Sequence, residues 1–321
     1  MPTCKSMVLT AVLSAGMLAP SFAAEPHVVG WLWFRAPIPE NLKLLEDGLR
    51  KLGYEPGRNV VVEVRHVGAD SRDFSDAARK LLETRPAVVY APCGPAQRAI
   101  RAISRSLPIV AICADEKNFL GEVASFRQPG GATTGATFLA PESMGKRLEL
   151  LKEIHPGVKR LAVLHSDDDW ENYWRSLDTI APRLGLTVLR IPFKRVEDLD
   201  AAFAVASQQN ADAVYALPDG NTVNAVGRIA ELGLKYRLAT AFDFSGAVEA
   251  GGLFSYGSDF SDLLYRVVPR FIDRILKGAK PGDLPIEQPT KFELIVNLKT
   301  ARMLGLKVPA SILLRADRVI E

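Results

Sequence analysis

The chain has 321 residues, 48% of them hydrophobic and 24% charged, with a formal net charge of +3. Those proportions exclude a disordered chain and suit one large or two modest globular domains. There is no Lys/Arg block or basic stripe, so nucleic acid is not an expected partner.

The first residues are expected to be a leader, 1–24. Lys5 precedes an apolar run from Met7 to Pro20, and Ser21-Phe22-Ala23-Ala24 supplies small residues for cleavage after Ala23 or Ala24. The run is well short of the roughly 20 residues that span a bilayer. Cys4 lies before the run, which argues against a lipid anchor. The mature protein is therefore expected to be soluble in the periplasm.

From Val28 onward strands and helices alternate. Val28–Trp33 reads as a strand, Pro39–Leu52 as a helix ended by Gly53, and Asn59–Val67 as a strand. A helix over Phe74–Glu83, a strand over Ala87–Ala91, a helix over Pro95–Ser104 and strands over Pro108–Ile112 and Thr134–Phe138 complete a first lobe. Pro141 opens a helix through Ile154. Strands at Arg160–His165, Thr187–Ile191, Ala213–Ala216 and Arg237–Thr240 then alternate with helices at Trp170–Leu184, Val196–Gln208 and Val223–Leu232. Such alternation implies right-handed βαβ units, so the fold class is α/β: two Rossmann-like lobes with parallel central sheets.

Beyond Leu253–Tyr256, Ser258 is placed to cap an amphipathic helix whose apolar positions run from Leu263 to Leu276 and which stops at Lys277-Gly278. Pro281–Pro289 reads as an extended connector, and Lys291–Asn297 as a short strand. The wording ILKGAKPGDLPIEQPTKFELIVNLKTARMLGL, preceded by VEAGGLFSYG and followed by LLRADRVIE, resembles the periplasmic substrate-binding proteins of ABC transporters, in the family whose best-known members take tryptophan or tyrosine. GLRKLGYEPGRNVVVEVR and RQPGGATTGATFLAPESMGKRLELLKEIHPGVKRLAVL extend the likeness over the mature chain. The resemblance implies a type I periplasmic binding protein fold, with a multi-strand hinge joining lobe 1 (25–139 plus 257–288) to lobe 2 (140–256 plus 289–321). It also implies an ABC permease in the inner membrane as partner, with its ATPase on the far side. A monomer is expected, and no cofactor.

Ligands of open α/β sheets bind beyond the carboxyl ends of the strands, where helix N-termini converge. That rule selects Trp31, Trp33 and Phe34, then Cys93, Gly94 and Pro95, then Asp115 and Glu116 in the first lobe. In the second it selects Ser166, Asp169, Trp170, Asp219, Asn221 and Asp243, with Tyr256 at the hinge. Tryptophans in the first loops of both lobes suit walls for a planar or apolar ligand; packing in the core is the alternative. Gly94 allows close approach of backbone, with the Ala96 and Gln97 N–H groups as carboxylate donors. The acids are candidates for an ammonium or hydroxyl partner, or are helix caps. Asp167-Asp168-Asp169 reads as a cap and first turn and not as a calcium loop. The family's pocket loops are replaced here by WLWFRAP, ADEKNFLG and HSDDDW.

Cys93 and Cys113 end neighbouring strands; a bridge between them is conceivable, and buried thiols are the plainer reading. His27, His66, His155 and His165 have no metal-ligand spacing. Neither a nucleophile elbow, a phosphate loop nor a dinucleotide fingerprint falls at a strand-to-helix junction, so an enzyme is not expected. The expected function is capture of a small solute, first an aromatic or large apolar amino acid, in a cleft closed by the hinge. A sensor that presents its ligand to a membrane receptor, and a binder of an aromatic acid or nucleobase-like compound, stay open as alternatives.

Overall fold

The computed structural model describes residues 25–34, 39–67, 73–92, 94–113, 123–139, 141–166 and 170–321. The first sheet contains β1 (His27–Trp33), β2 (Val60–His66), β3 (Val88–Tyr90), β4 (Ile109–Cys113) and β5 (Thr133–Thr137) in the order β2-β1-β3-β4-β5, every pair parallel. β3, β4 and β5 are buried throughout, as strands covered by helices on both faces must be. The connecting helices are α1 (Pro39–Lys51), α2 (Ser75–Leu82) and α3 (Gly94–Ile103).

The second sheet begins with β6 (Arg160–His165), β7 (Thr187–Pro192), β8 (Ala213–Ala216), β9 (Ala239–Phe242) and β10 (Phe254–Ser258), with α4 (Met144–Ile154), α5 (Glu171–Ile180), α6 (Leu199–Gln208), α7 (Gly220–Lys235) and α8 (Ser245–Glu249) between or beside them. α5 stops four residues short of the expected Leu184 because Pro182 has no N–H to continue the ladder, and the path closes as a 3₁₀ turn, Pro182–Leu184. α7 starts earlier than the expected Val223: the Asp219 carboxylate accepts from the Thr222 N–H at 2.7 Å and caps it. The strand expected over Arg237–Thr240 begins only at Ala239, since Arg237 takes φ of 56°.

α9 (Phe260–Asp262), a π-helical turn (Leu263–Val267) and α10 (Val268–Leu276) form one continuous helical run. Ser258 does not cap it. Ser258 ends β10 and its hydroxyl donates to the Phe138 carbonyl at 2.8 Å, while the Asp259 carboxylate accepts from the Asp262 N–H at 3.0 Å. The π turn has an identifiable cause in Pro269, which cannot donate to the Tyr265 carbonyl and whose ring presses on it. Gly48 of α1 makes room for that displaced carbonyl, since a β-carbon there would stand 2.2 Å from the Tyr265 oxygen.

The connector after α10 makes a short turn at Pro281–Asp283 and then runs beside β5, with the Glu287 N–H donating to the Gly135 carbonyl at 2.9 Å and the Thr137 N–H to the Glu287 carbonyl at 2.8 Å. β11 (Phe292–Asn297), α11 (Leu298–Leu304), α12 (Ala310–Arg315) and β12 (Arg318–Ile320) complete the second sheet, order β12-β11-β10-β9-β8-β6-β7. β11 runs antiparallel to β10, a departure from the all-parallel expectation.

Apolar side chains of the α9–α10 run and connector, from Leu263 to Ile286, share one core with β1, β3 and β4. Those of α4, β6, β11 and α12 share another. The chain thus passes between the lobes before α4, after β10 and before β11. Those passages are tied to one another: the Lys291 ammonium lies 2.6 Å from the Asp259 carboxylate, beside the Ser258–Phe138 hydrogen bond.

Candidate functional site

The carboxyl ends of the two sheets meet at β1 and α7. Trp31 and Trp33 share one face of β1 by strand alternation. Trp31 is fully buried and packs against Tyr90, with ring centroids 5.3 Å apart, and against Trp33 at 6.3 Å. Its place is therefore in the core of the first lobe. Trp33 lies one step further out, 4.0 Å from the Phe34 ring and 6.4 Å from Phe260. Phe34 covers the first turn of α7: a β-carbon built on Gly220 would be 3.3 Å from the Phe34 Cγ, and Val223 packs on the same cluster. Trp33 and Phe34 are thus the aromatic side chains brought to the lobe junction.

Gly94 and Pro95 open α3, which starts one residue before the expected Pro95, and both are half-buried. Cys93, Asp115, Glu116 and Asp169 lie outside the described residues. The Gln97 side chain turns to the carboxyl edge of β3 and β4, its Nε2 donating to the Ala91 carbonyl at 3.1 Å and approaching the Cys113 Sγ at 3.2 Å.

In the second lobe, Ser166 follows β6 and its N–H and hydroxyl both donate to the Asp219 carboxylate, which also caps α7. Asp219 therefore has the helix-cap role that was the alternative reading of this acid. The Asn221 amide donates to the Lys194 carbonyl at 2.6 Å. Trp170 packs edge-on against Tyr173 at 4.9 Å within the second core, and Trp174 meets His165 at 5.0 Å under the Arg190 guanidinium. Nothing in this arrangement sets Trp170 opposite Trp33.

Beneath the junction sits a buried ionic cluster. Arg147 of α4 is fully buried and pairs with the Asp243 carboxylate just past β9. Its other donors reach the Tyr215 hydroxyl at 3.1 Å, the Ser143 hydroxyl at 2.8 Å and the Tyr256 carbonyl at 3.0 Å. The Tyr215 hydroxyl donates in turn to Asp243 at 2.6 Å. Burial pushes the Asp243 carboxyl up to about 6 against the pull of Arg147, and pushes the Tyr215 hydroxyl well above its ordinary value. Burial also works against the Arg147 charge, but Asp243 and the two tyrosines beside it hold its pKa above the ordinary value. The cluster ties the passage before α4 to the strand before α9.

Residues 39–320 match the family of ABC transporter substrate binding proteins. The chain belongs to that family. A tyrosine-binding protein of Clostridioides difficile (strain R20291) is 23% identical over 268 residues, 83% of this chain and 75% of the relative. Among solved structures, an ABC domain from Streptococcus pneumonia in complex with L-Trp superposes with TM-score 0.82 at 24% identity, over 92% of this chain and all of that one. A ligand-free, open substrate binding protein with adhesive properties from Clostridium difficile gives 0.66 at 20% identity, over 92% and 99%. The architecture is that of the type I periplasmic binding proteins.

In this substrate binding protein two further sequence candidates turn out to have structural duties. The Asp243 carboxylate is spent on Arg147 and Tyr215, and the Tyr256 ring stacks on Phe292 at 5.8 Å. Arg147 itself escaped the sequence reading, because a lone arginine in a helix full of charge carries no sign of being inward. The signal available was its position, three residues after Met144 and three before Leu150, on the apolar stripe of α4. Among the described residues, no cluster of three or more His, Cys, Asp or Glu could hold a metal, and no helix is long and apolar enough to cross a membrane.

Proposed function

We propose that this protein is the substrate-binding component of an ABC importer, which takes an aromatic or large apolar amino acid between its lobes and closes over it by bending at the three passages. The observation that carries the reading is the meeting of Phe34 and Gly220, which places the carboxyl edge of one sheet against a helix N-terminus of the other. Such a junction buries a small solute between a stacking surface, Trp33 and Phe34, and backbone N–H groups of α3. The Trp- and Tyr-binding relatives support the ligand class. Closure needs only that the ligand touch the closed form better than the open one. The loaded protein would then be read by a permease. Export by a cleaved leader, a periplasmic site of action and a monomeric state are parts of the same proposal.

The test is intrinsic tryptophan fluorescence of the mature protein, stripped of ligand by partial unfolding and dialysis, titrated with the aromatic and branched amino acids. A saturable change at micromolar concentration or below, with a raised melting temperature and loss of affinity in Trp33→Ala, is the expected result. A flat response across the series overturns the ligand class.

A further inference from the structure

Among the described residues, nothing donates to the side-chain oxygen of Gln97. Gln97 stands in the first turns of α3, a ten-residue helix that begins at the carboxyl edge of the first sheet, and it is 1% exposed. Its carboxamide orientation is set by its neighbours: the Ala91 carbonyl can only accept, so the nitrogen must face it, at 3.1 Å. The Cys113 Sγ, last residue of β4, lies 3.2 Å from the same nitrogen. The carboxamide is therefore held at the sheet edge between β3 and β4, with its nitrogen turned to the strands. Its Oε1 has no hydrogen-bond partner among the described residues. A buried carbonyl left unpaired costs about 1–3 kcal/mol, and most buried polar atoms of folded proteins are hydrogen-bonded; the Trp31 and Trp170 ring N–H groups share this unpaired condition among the described residues.

We infer that Gln97 Oε1 is a specificity-determining acceptor of the interlobe site, and that it accepts from a neutral N–H or O–H on the ring of an aromatic solute. The inference rests on the reading that the cleft binds such a solute. Two features favour a neutral donor over the ammonium of an amino acid. The oxygen is a neutral amide acceptor, and it stands at the positive end of the α3 dipole, which disfavours a second positive charge. The aromatic pair Trp33–Phe34, at the end of β1 in the same sheet, supplies the matching flat surface. A site with a dry, preset acceptor rejects an analogue that lacks the donor, because the acceptor then stays unpaired. Ligands of this kind are phenols and indoles: tyrosine over phenylalanine, or tryptophan over its sulfur isostere.

The experiment uses two probe pairs on the ligand-stripped mature protein: L-tyrosine with L-phenylalanine, and L-tryptophan with 3-benzothienyl-L-alanine, in which sulfur replaces the indole N–H. Calorimetric titration of wild type is expected to favour the donor-bearing member of the pair that binds by about 100-fold or more. In Gln97→Met that ratio is expected to fall to within about 3-fold, almost entirely through loss of the donor-bearing ligand. The variant also loses the hydrogen bond to Ala91, but that loss weakens both members of a pair alike and leaves the ratio unchanged. The melting temperature of unliganded Gln97→Met, measured beside the titrations, checks that the variant folds. A wild-type ratio near one, or a ratio that Gln97→Met leaves intact, overturns the inference while the binding reading stands. Absence of saturable binding by all four probes overturns both.

Discussion

The Phe34 ring lies on the α-carbon of Gly220, one residue from each lobe, so closely that a β-carbon at 220 would stand 3.3 Å from the Phe34 Cγ. Van der Waals contact of this kind is available only with the lobes together. A branched side chain at 220 should therefore act as a wedge: Gly220→Val is expected to weaken ligand binding ~10-fold, equivalent to roughly 1.4 kcal/mol against closure. Its melting temperature without ligand should stay near wild type, because the substitution lies at the first turn of α7 and outside either core. Phe34→Ala combined with Gly220→Val removes the collision, so at saturating ligand, which offsets the loss of the Phe34 stacking surface, small-angle scattering should show the ligand-induced compaction returning in the double variant. Full compaction in Gly220→Val alone would show that the contact does not limit closure.

The Arg147 cluster makes a different kind of prediction, about stability. Removing one member of a buried ion pair leaves the other charge dry and uncompensated, at a cost of about 3–5 kcal/mol. Arg147→Ala is expected to lose stability on that scale in urea unfolding. Replacing the whole set, Arg147→Met with Asp243→Leu and Tyr215→Phe, should recover most of the loss, because burying a charge pair and packing an apolar group of similar volume are close in free energy. If the triple variant is as unstable as Arg147→Ala, the cluster contributes by a route other than charge burial.

Titration of Asp243 gives that cluster a pH signature. Burial raises its carboxyl from 3.8 to about 6, with Arg147 and Tyr215 as the charged and titratable neighbours. Between roughly pH 4 and 6 the folded protein holds a proton that the unfolded chain has released, so this group's contribution to stability falls as pH rises through that window and is level above it. Surface carboxylates held low by lysine or arginine partners, such as Asp76 and Asp262, act in the opposite direction. Comparison with Asp243→Asn separates the two. Urea midpoints across pH 4.5 to 7 should show wild type losing ground relative to the variant as pH rises, on top of a constant offset from the unpaired Arg147. A difference that does not change with pH would mean that Asp243 is ionised throughout.

Much of the framework was legible because strand and helix periods differ. Arg160–His165 and Ala213–Ala216 fall where the apolar runs place them, and Gly53, Gly185 and Gly278 follow elements that they end, each at positive φ. What periodicity cannot express is competition between neighbours. Ser258 and Asp259 are both competent caps, and the choice went to Asp259 because Ser258 is held in β10 by its bond to the Phe138 carbonyl. The same limit applies at the site. The rule of strand ends selects residues by place and takes no account of what else their side chains touch. Asp219, Asp243 and Tyr256 obey the rule and are nonetheless engaged by Ser166, Arg147 and Phe292. Gln97 shows the converse, since an acceptor becomes conspicuous only when its neighbours are seen to leave it unpaired.

The hinge strand has its own sequence requirement at Gly257. A β-carbon there would lie 1.8 Å from the Asp243 carbonyl oxygen, a backbone atom that cannot swing aside. To accommodate alanine, β10 would have to move away from the residue that closes the Arg147 cluster, and Arg147 already holds β10 through the Tyr256 carbonyl. Gly257→Ala is therefore expected to cost about 1–3 kcal/mol or more, the scale of overpacking in a close-packed interior. Gly246 is a suitable control, because a β-carbon there meets nothing within 4 Å. It sits in a helix, so Gly246→Ala is expected to be stabilising by about 0.4–1 kcal/mol through the unfolded chain. Chemical unfolding of the two variants reads both signs in one comparison. Equal and small effects would mean that β10 has slack at 257, and in that case the passage before α9 is not fixed by its contact with β9.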